Sequence, residues 1–247
     1  MARERQILAC SGVLNPPEGF PPEHVGAQIW QALRLADVRS PRICLIATAV
    51  GDSRAYIDRW YERAGFFGAG ETSHLELFVR PNVTDIRSHL LAQDVIFVSG
   101  GSVVNLLAVW RVHRLDAVLR ECWEAGVVLA GQSAGSLCWH LGGVTDSFGD
   151  ALDPVTDGLG FLPYSNGVHD DLADQPRRRR FRELVGAGEL PGGYATEDGV
   201  ALHYVGDRLH EVVSVLPERR AWSVERDGAG HREKALPARY WTPGPSL

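Results

Sequence analysis

The stretch Gly126-Val127-Val128-Leu129-Ala130-Gly131-Gln132-Ser133-Ala134-Gly135-Ser136-Leu137-Cys138-Trp139 constrains this chain more than any other. An apolar run enters a Gly-x-Ser-x-Gly turn and leaves as a segment that reads as a helix. A serine at such a turn presents its hydroxyl at the end of a strand, and the helix N-terminus behind it offers unpaired N–H groups to a developing oxyanion. Gly131 and Gly135 fit because side chains there would crowd the approach of helix to strand. In glycine-rich chains the same pattern also arises by chance at the start of a buried helix. Here strand, turn and helix come in the order that nucleophilic chemistry requires, which favours the chemical reading of Ser133.

Strands and helices alternate around this turn. Residues 6–12 form a short apolar run, 15–22 a proline-rich loop, and 23–38 a helix with Val25, Ile29, Leu33 and Ala36 on one stripe. Residues 42–49 are almost wholly apolar, as in a parallel strand covered on both faces. Asp52 or Ser53 then caps a helix that ends near Gly65. A strand at 74–79, a short helix at 85–91 and a strand at 94–99 follow, then a long helical region holding Leu106, Trp110, Leu115 and Leu119. Beyond the elbow come a strand and loop at 161–168, a helix from Pro176, a strand at 194–196, and antiparallel strands at 200–205, 208–215 and 220–225. The expected fold is α/β: a doubly wound, mainly parallel sheet flanked by helices, with a peripheral antiparallel C-terminal β element. No chemistry is legible in the tail at 227–247.

Composition narrows the class. A chain of 247 residues, 45% apolar and 23% charged, closes a core of its own and reads as a single domain over 1–247. Its formal net charge of −6 gives no general attraction to nucleic acid or to an anionic membrane. The longest apolar runs are too short to span a bilayer and the N-terminus lacks a signal-peptide pattern, so a cytoplasmic protein is expected. Cys10, Cys44, Cys122 and Cys138 are far apart and show no zinc-site spacing, so they read as buried thiols. No phosphate-loop motif occurs, and neither a metal nor a cofactor is expected. The partner these features suit is a small peptide, with a homodimer left open.

A nucleophilic serine needs a base and an oxyanion site. Gly100-Gly101, at the end of the strand preceding the elbow strand, lets backbone N–H groups approach a ligand and supplies a second oxyanion donor beside the Ala134 N–H. Their plain reading is a tight βα turn. Among nine histidines, His140 falls seven residues down the expected elbow helix and out of reach, and His113 reads as a packing residue. His169 follows a strand and sits at its end, which makes it the candidate base over its alternative as a solvated loop histidine. The run Arg177-Arg178-Arg179-Arg180-Phe181-Arg182 reads as a solvated helix face, with one or two arginines available to a substrate carboxylate.

Taken in order, Gly100-Gly101, Gly131-Gln132-Ser133-Ala134-Gly135, His169 and Glu197-Asp198 resemble the peptidase E and cyanophycinase family of serine peptidases, over about residues 10–215. Ser102 stands where peptidase E itself has asparagine, and the residues around His169 differ from its Asn-Pro-His. The resemblance implies a fold like class I glutamine amidotransferases, no metal, and cleavage next to an aspartyl residue, as in dipeptides with an N-terminal aspartate. It also implies a carboxylate just before the apolar hairpin strand, which aligns with Asp198 and leaves Glu197, one residue away, as the alternative. Asp146 ranks third, and Asp170 points away from its neighbour His169 in an extended segment. Two rival classes stand beside this reading. One is an α/β-hydrolase esterase using Ser133, Asp198 and His231, and the other a silent amidotransferase-like binding domain.

Overall fold

A computed structural model describes residues 3–13, 18 and 26–241. Its centre is a sheet of eight strands. Five are parallel: β1 (Gln6–Cys10), β2 (Arg42–Ile46), β3 (Glu71–Leu75), β4 (Val95–Val98) and β5 (Val128–Gln132). Side chains on a strand alternate between faces, and both faces of this sheet are covered. Ile7, Ala9, Cys44, Ile46, Ile96 and Leu129 pack with α4 (Val103–Val112) and α5 (Leu115–Glu124) through Leu106, Trp110, Leu119 and Trp123. Leu8, Cys10, Ile43, Leu45, Phe97 and Val128 face α1 (Ala27–Leu35) and α2 (Arg54–Phe66) through Ile29, Leu33, Ile57 and Trp60. This double burial explains why the strands are continuous apolar runs.

The C-terminal antiparallel strands are divided between two sheets. β10 (Val200–Val205) pairs with β1 and β11 (Arg208–Ser214) with β10, so both extend the central sheet. The second sheet, of six strands, runs in the order β13, β12, β9, β8, β6, β7. It contains β6 (His140–Thr145), β7 (Asp153–Val155), β8 (Leu162–Val168), β9 (Gly193–Thr196), β12 (Arg220–Asp227) and β13 (Gly230–Pro237). α7 (Arg177–Ala187) covers one face of it with Phe181, Leu184 and Val185, against Val144, Ala195 and Val224. The tail is structured as far as Trp241, the last described residue: β13 forms a hairpin with β12, β14 (Arg239–Tyr240) pairs with β11, and Trp241 packs on Trp30 with ring centroids 4.0 Å apart.

Several local expectations are corrected. The strand expected at 74–79 lies at Glu71–Leu75, because the Asp52 carboxylate accepts the Leu77 and Phe78 N–H groups and Val79, at φ 66°, turns the chain away. Ser53 is the N-cap of α2, without a side-chain hydrogen bond. The long helical region breaks at Arg114, left-handed at φ 55°, and the segment at 23–38 is helical at Ala27–Leu35, with its first residues outside the described ones. α3 (Ile86–Leu91) starts as expected, with the Asp85 carboxylate accepting the Ser88 N–H. The helix after the elbow, α6 (Ala134–Leu137), is one turn long. Leu137, Cys138, Trp139 and His140 are all buried, which leaves no solvent face for a longer helix, and His140 begins β6 instead.

His140 is thus removed from the site by burial and not by helical rise. Its Nδ1–H donates to the Ser136 carbonyl at 2.9 Å and its Nε2 accepts from the Tyr204 hydroxyl at 3.2 Å. Burial takes its pKa from 6.5 down to about 4. Below about pH 6.5 an unfolded chain binds a proton here that the folded chain refuses, so stability falls as the pH drops toward 4, by about 1.4 kcal/mol per pH unit from this residue. Urea unfolding between pH 7 and 4.5 should show that loss, and His140→Asn should make it shallower.

Candidate active site

Ser133 follows β5 and holds a backbone conformation of φ 54°, ψ −109°, uncommon for a residue with a side chain. Close packing of backbone on backbone fixes it there. A Cβ on Gly131 would lie 2.4 Å from the Gly135 carbonyl oxygen, and one on Gly135 would lie 2.4 Å from that of Val98, so only glycines let α6 seat on β4 and β5. The Ser133 N–H donates to the Cys10 carbonyl at 2.9 Å. Gly100 abuts the serine, since a Cβ there would stand 3.3 Å from that of Ser133. Gly101, at φ 128°, has no room for a side chain against the Ala49 carbonyl. Ala134 opens α6, so its N–H has no acceptor within that helix.

Across the cleft, His169 follows β8 and is also left-handed, at φ 57°. Its Nε2 stands 3.1 Å from Ser133 Oγ, and its Nδ1 stands 2.5 Å from Asp198 Oδ1. A carboxylate only accepts, so Nδ1 carries the proton and Nε2 is left to accept from the serine. His169 and Asp198 are both buried, while Ser133 is half-buried and reachable.

The other sequence candidates lie elsewhere. Glu197 faces away from the imidazole: its carboxylate accepts the Arg220 N–H at 3.1 Å and the Trp222 indole N–H at 3.4 Å. Asp146 pairs with Arg177 at 2.6 Å; burial alone would raise its pKa, and Arg177 brings it below the ordinary range. Asp170 turns toward α7. His231, on β13, is exposed, which removes the serine, aspartate, histidine order of an esterase. The arginines of the run have carboxylate partners: Arg177 pairs with Asp146, Arg178 and Arg182 with Asp170 and Glu233, and Arg179 and Arg180 with Glu183. Arg177 and Arg182 are buried, while Arg179 and Glu183 meet on the exposed face of the helix. Cys138 lies behind the elbow with its thiol fully buried, which pushes its pKa well above the ordinary value and leaves it a poor nucleophile. Among the described residues, no three His, Cys, Asp or Glu side chains gather where a metal could be held, and no helix is long and apolar enough to cross a membrane.

Four further residues, Ser11, Thr196, Asp171 and Arg219, hold the arrangement together. Ser11 Oγ accepts the His169 N–H at 3.1 Å and donates to the Thr196 carbonyl at 2.9 Å; it lies 2.7 Å from the Thr196 hydroxyl. Asp171 accepts the Asp198 N–H at 2.7 Å and pairs with Arg219, which fixes the turn that carries the carboxylate. Small polar residues just past strand ends are the signal that points to Ser11; nothing local marks Asp171. A cavity of about 670 Å³ lies behind this segment, lined by Asp170, Asp171, Pro176, Arg178, Arg182 and Glu233 among others, and Ser133 and His169 take no part in its walls.

Residues 22–212 match the model of peptidase family S51. The chain belongs to that family. As an S51 member it is a serine-type peptidase. It is 39% identical over 239 residues, 96% of this chain and 99% of the other, to a protein of Bacillus subtilis named uncharacterized peptidase YgaJ. It is 31% identical to peptidase E of Shewanella denitrificans over 126 residues, 48% of this chain and 54% of that one. Among solved structures, a peptidase from an acI-B1 actinobacterium superposes with a TM-score of 0.67 at 17% identity, covering 96% of both chains. A putative peptidase E from Listeria monocytogenes gives 0.61 at 16% identity, with 86% of this chain and all of that one covered. These likenesses bear out the α/β fold with helix-flanked sheets and the resemblance drawn from the motifs.

The support beneath His169 is open to test on stability. Ser11→Ala leaves the His169 N–H without an acceptor in a buried place and should destabilise the fold by about 1–3 kcal/mol. The urea midpoint measures this, and an unchanged midpoint would show that the hydroxyl carries no such role.

Proposed function

We propose that this S51 peptidase cleaves short peptides through an acyl-enzyme on Ser133, with His169 as general base and Asp198 as the residue that orients it. The observation that carries the reading is the single imidazole hydrogen-bonded at one nitrogen to the serine and at the other to a buried carboxylate. In this reading Ser133 Oγ attacks the scissile carbonyl as His169 Nε2 takes its proton. Negative charge gathers on the carbonyl oxygen, opposite the N–H of Ala134 and those of Gly100 and Gly101, and fixed backbone dipoles stabilise it without rearranging. His169 then gives the proton to the leaving amine, and a water activated by the same nitrogen releases the acyl group. Asp198 keeps the proton on Nδ1 and stabilises the imidazolium that forms.

The proposed substrates are dipeptides with an N-terminal aspartyl or similar acidic or amide residue. Support comes from the likeness to peptidase E and not from Arg178 and Arg182 of α7, which are paired with the buried Asp170. A cytoplasmic setting suits the four cysteines, which are buried and unpaired.

Ser133→Ala should lose several orders of magnitude in rate with the fold intact, and full activity in that variant would remove the nucleophile. Asp198→Asn should lower kcat roughly 10³–10⁴-fold by presenting the wrong tautomer to the serine, while Glu197→Gln should cost far less. Steady-state kinetics on the two variants decides between the carboxylates. A dipeptide panel with Asp, Glu, Asn, Gln and Ala in first position tests the substrate; equal hydrolysis of Ala-X and Asp-X would overturn the acidic preference.

A further inference from the structure

The residue next to His169 is built into a closed ring of four charges. Asp170 Oδ1 accepts Arg182 Nη1–H at 2.6 Å, and Oδ2 accepts Arg182 Nη2–H at 3.0 Å and Arg178 Nη1–H at 3.1 Å. On the far side Glu233, from β13, accepts Arg182 Nε–H at 2.5 Å and Arg178 Nη2–H at 2.8 Å. The Asp170 and Arg182 side chains are 1% and 5% exposed, and Arg178 lies over the Trp222 ring at 4.1 Å. Two arginines and two carboxylates close on one another, one carboxylate beside the candidate base and the other more than sixty residues away on the C-terminal hairpin.

A buried ion pair of this kind is a weak source of stability, because desolvation of the charges offsets most of their attraction and an apolar cluster would hold the helix as well. What it supplies is a fixed direction. His169 is left-handed at φ 57°, a conformation a β-carbon disfavours, and relaxing it would swing the imidazole off its two partners. The segment is held on one side by the Ser11 hydroxyl on the His169 N–H and on the other by the Asp170 N–H, which donates to the Thr196 carbonyl at 3.0 Å. The Asp170 carboxylate, gripped by the planar fork of Arg182, adds an anchor against change in the φ and ψ torsions of residues 169 and 170.

We infer that Asp170, Arg182, Arg178 and Glu233 are positioning residues for His169, and that the β12–β13 hairpin is in this way a working part of the site. The inference rests on the reading of Ser133 and His169 given above. Its test uses the full-length enzyme and a fluorophosphonate probe, which reports both the number of reactive serines and the rate at which each reacts. In Glu233→Gln, at a half-exposed position, and in Arg182→Lys, which keeps the charge and loses the fork, acylation per titrated serine and kcat should fall about 10- to 100-fold, the cost of misplacing a catalytic group by a fraction of an ångström to an ångström. KM should stay within about twofold, since substrate contacts are untouched. Arg179→Gln, on the same helix but outside the ring and paired with the exposed Glu183, should leave all three quantities unchanged. A ring that serves folding alone would lower the number of titratable serines and leave the rate of each at the wild-type value; that result in both variants overturns the proposal. A wild-type enzyme that the probe fails to label at Ser133 overturns the reading of the nucleophile itself, and the proposal with it.

Discussion

The close seating of α6 on the central sheet is the constraint from which the rest of the site follows. Gly135 rests against the Val98 carbonyl and Gly131 against the Gly135 carbonyl at separations no β-carbon would tolerate. Because the helix cannot lift, the chain between Gln132 and Ala134 turns within one residue, and Ser133 absorbs the turn in an unusual backbone conformation. That same seating brings Gly100, at the end of the neighbouring strand, against the serine. The placement of Ser133 and that of the glycine turn are thus consequences of one packing contact between backbones.

The rest of the site depends on how two sheets meet. Ser133 belongs to the end of the central sheet, His169 to the end of β8 in the second, and Asp198 to the turn between β9 in the second sheet and β10 in the first. Near that junction the Ser11 N–H donates to the Val200 carbonyl and the Gly199 N–H to the Gly12 carbonyl, which fastens the turn to the end of β1. Gly199 is left-handed, and a side chain there would strike Leu216. The three residues converge because each lies at the end of a strand, where backbone polar groups are free to be used by side chains such as Ser11 and Thr196.

What the sequence disclosed and what it hid divide along physical lines. The central strands were legible because burial on both faces removes polar residues from them, and the elbow because sterics demand glycine at 131 and 135. The length of α6 was not legible: helix propensity does not say that Leu137 through His140 will all be buried. The arginines of α7 read as a solvated face because their partners, Asp146, Asp170 and Glu233, are scattered over nearly ninety positions and meet only in the fold. The tail seemed inert for the same reason, since the pairing of β13 with β12 and the placement of Glu233 are set by tertiary contacts and not by local pattern. The choice between Glu197 and Asp198 turned on one residue of alternation; in the fold Asp198 is the carboxylate beside His169, while Arg220 and Trp222 hold that of Glu197.

Ser133 and His169 are two of the seven described residues other than glycine with positive φ, and they stand opposite one another. Conformations of this kind cost on the order of 1–3 kcal/mol each and persist only where the surroundings over-determine them. Around Ser133 its own carbonyl accepts the Ser136 and Leu137 N–H groups while its N–H is held by Cys10. Around His169 the N–H is held by Ser11 and the carbonyl accepts the Leu172 N–H. With both backbones fixed from either side, little is left to vary except the side-chain torsions, and Asp198 holds the imidazole. The 3.1 Å between Nε2 and Oγ is therefore a property of the scaffold and not of the two residues alone, and Ser11 and Thr196 belong to any physical account of that distance.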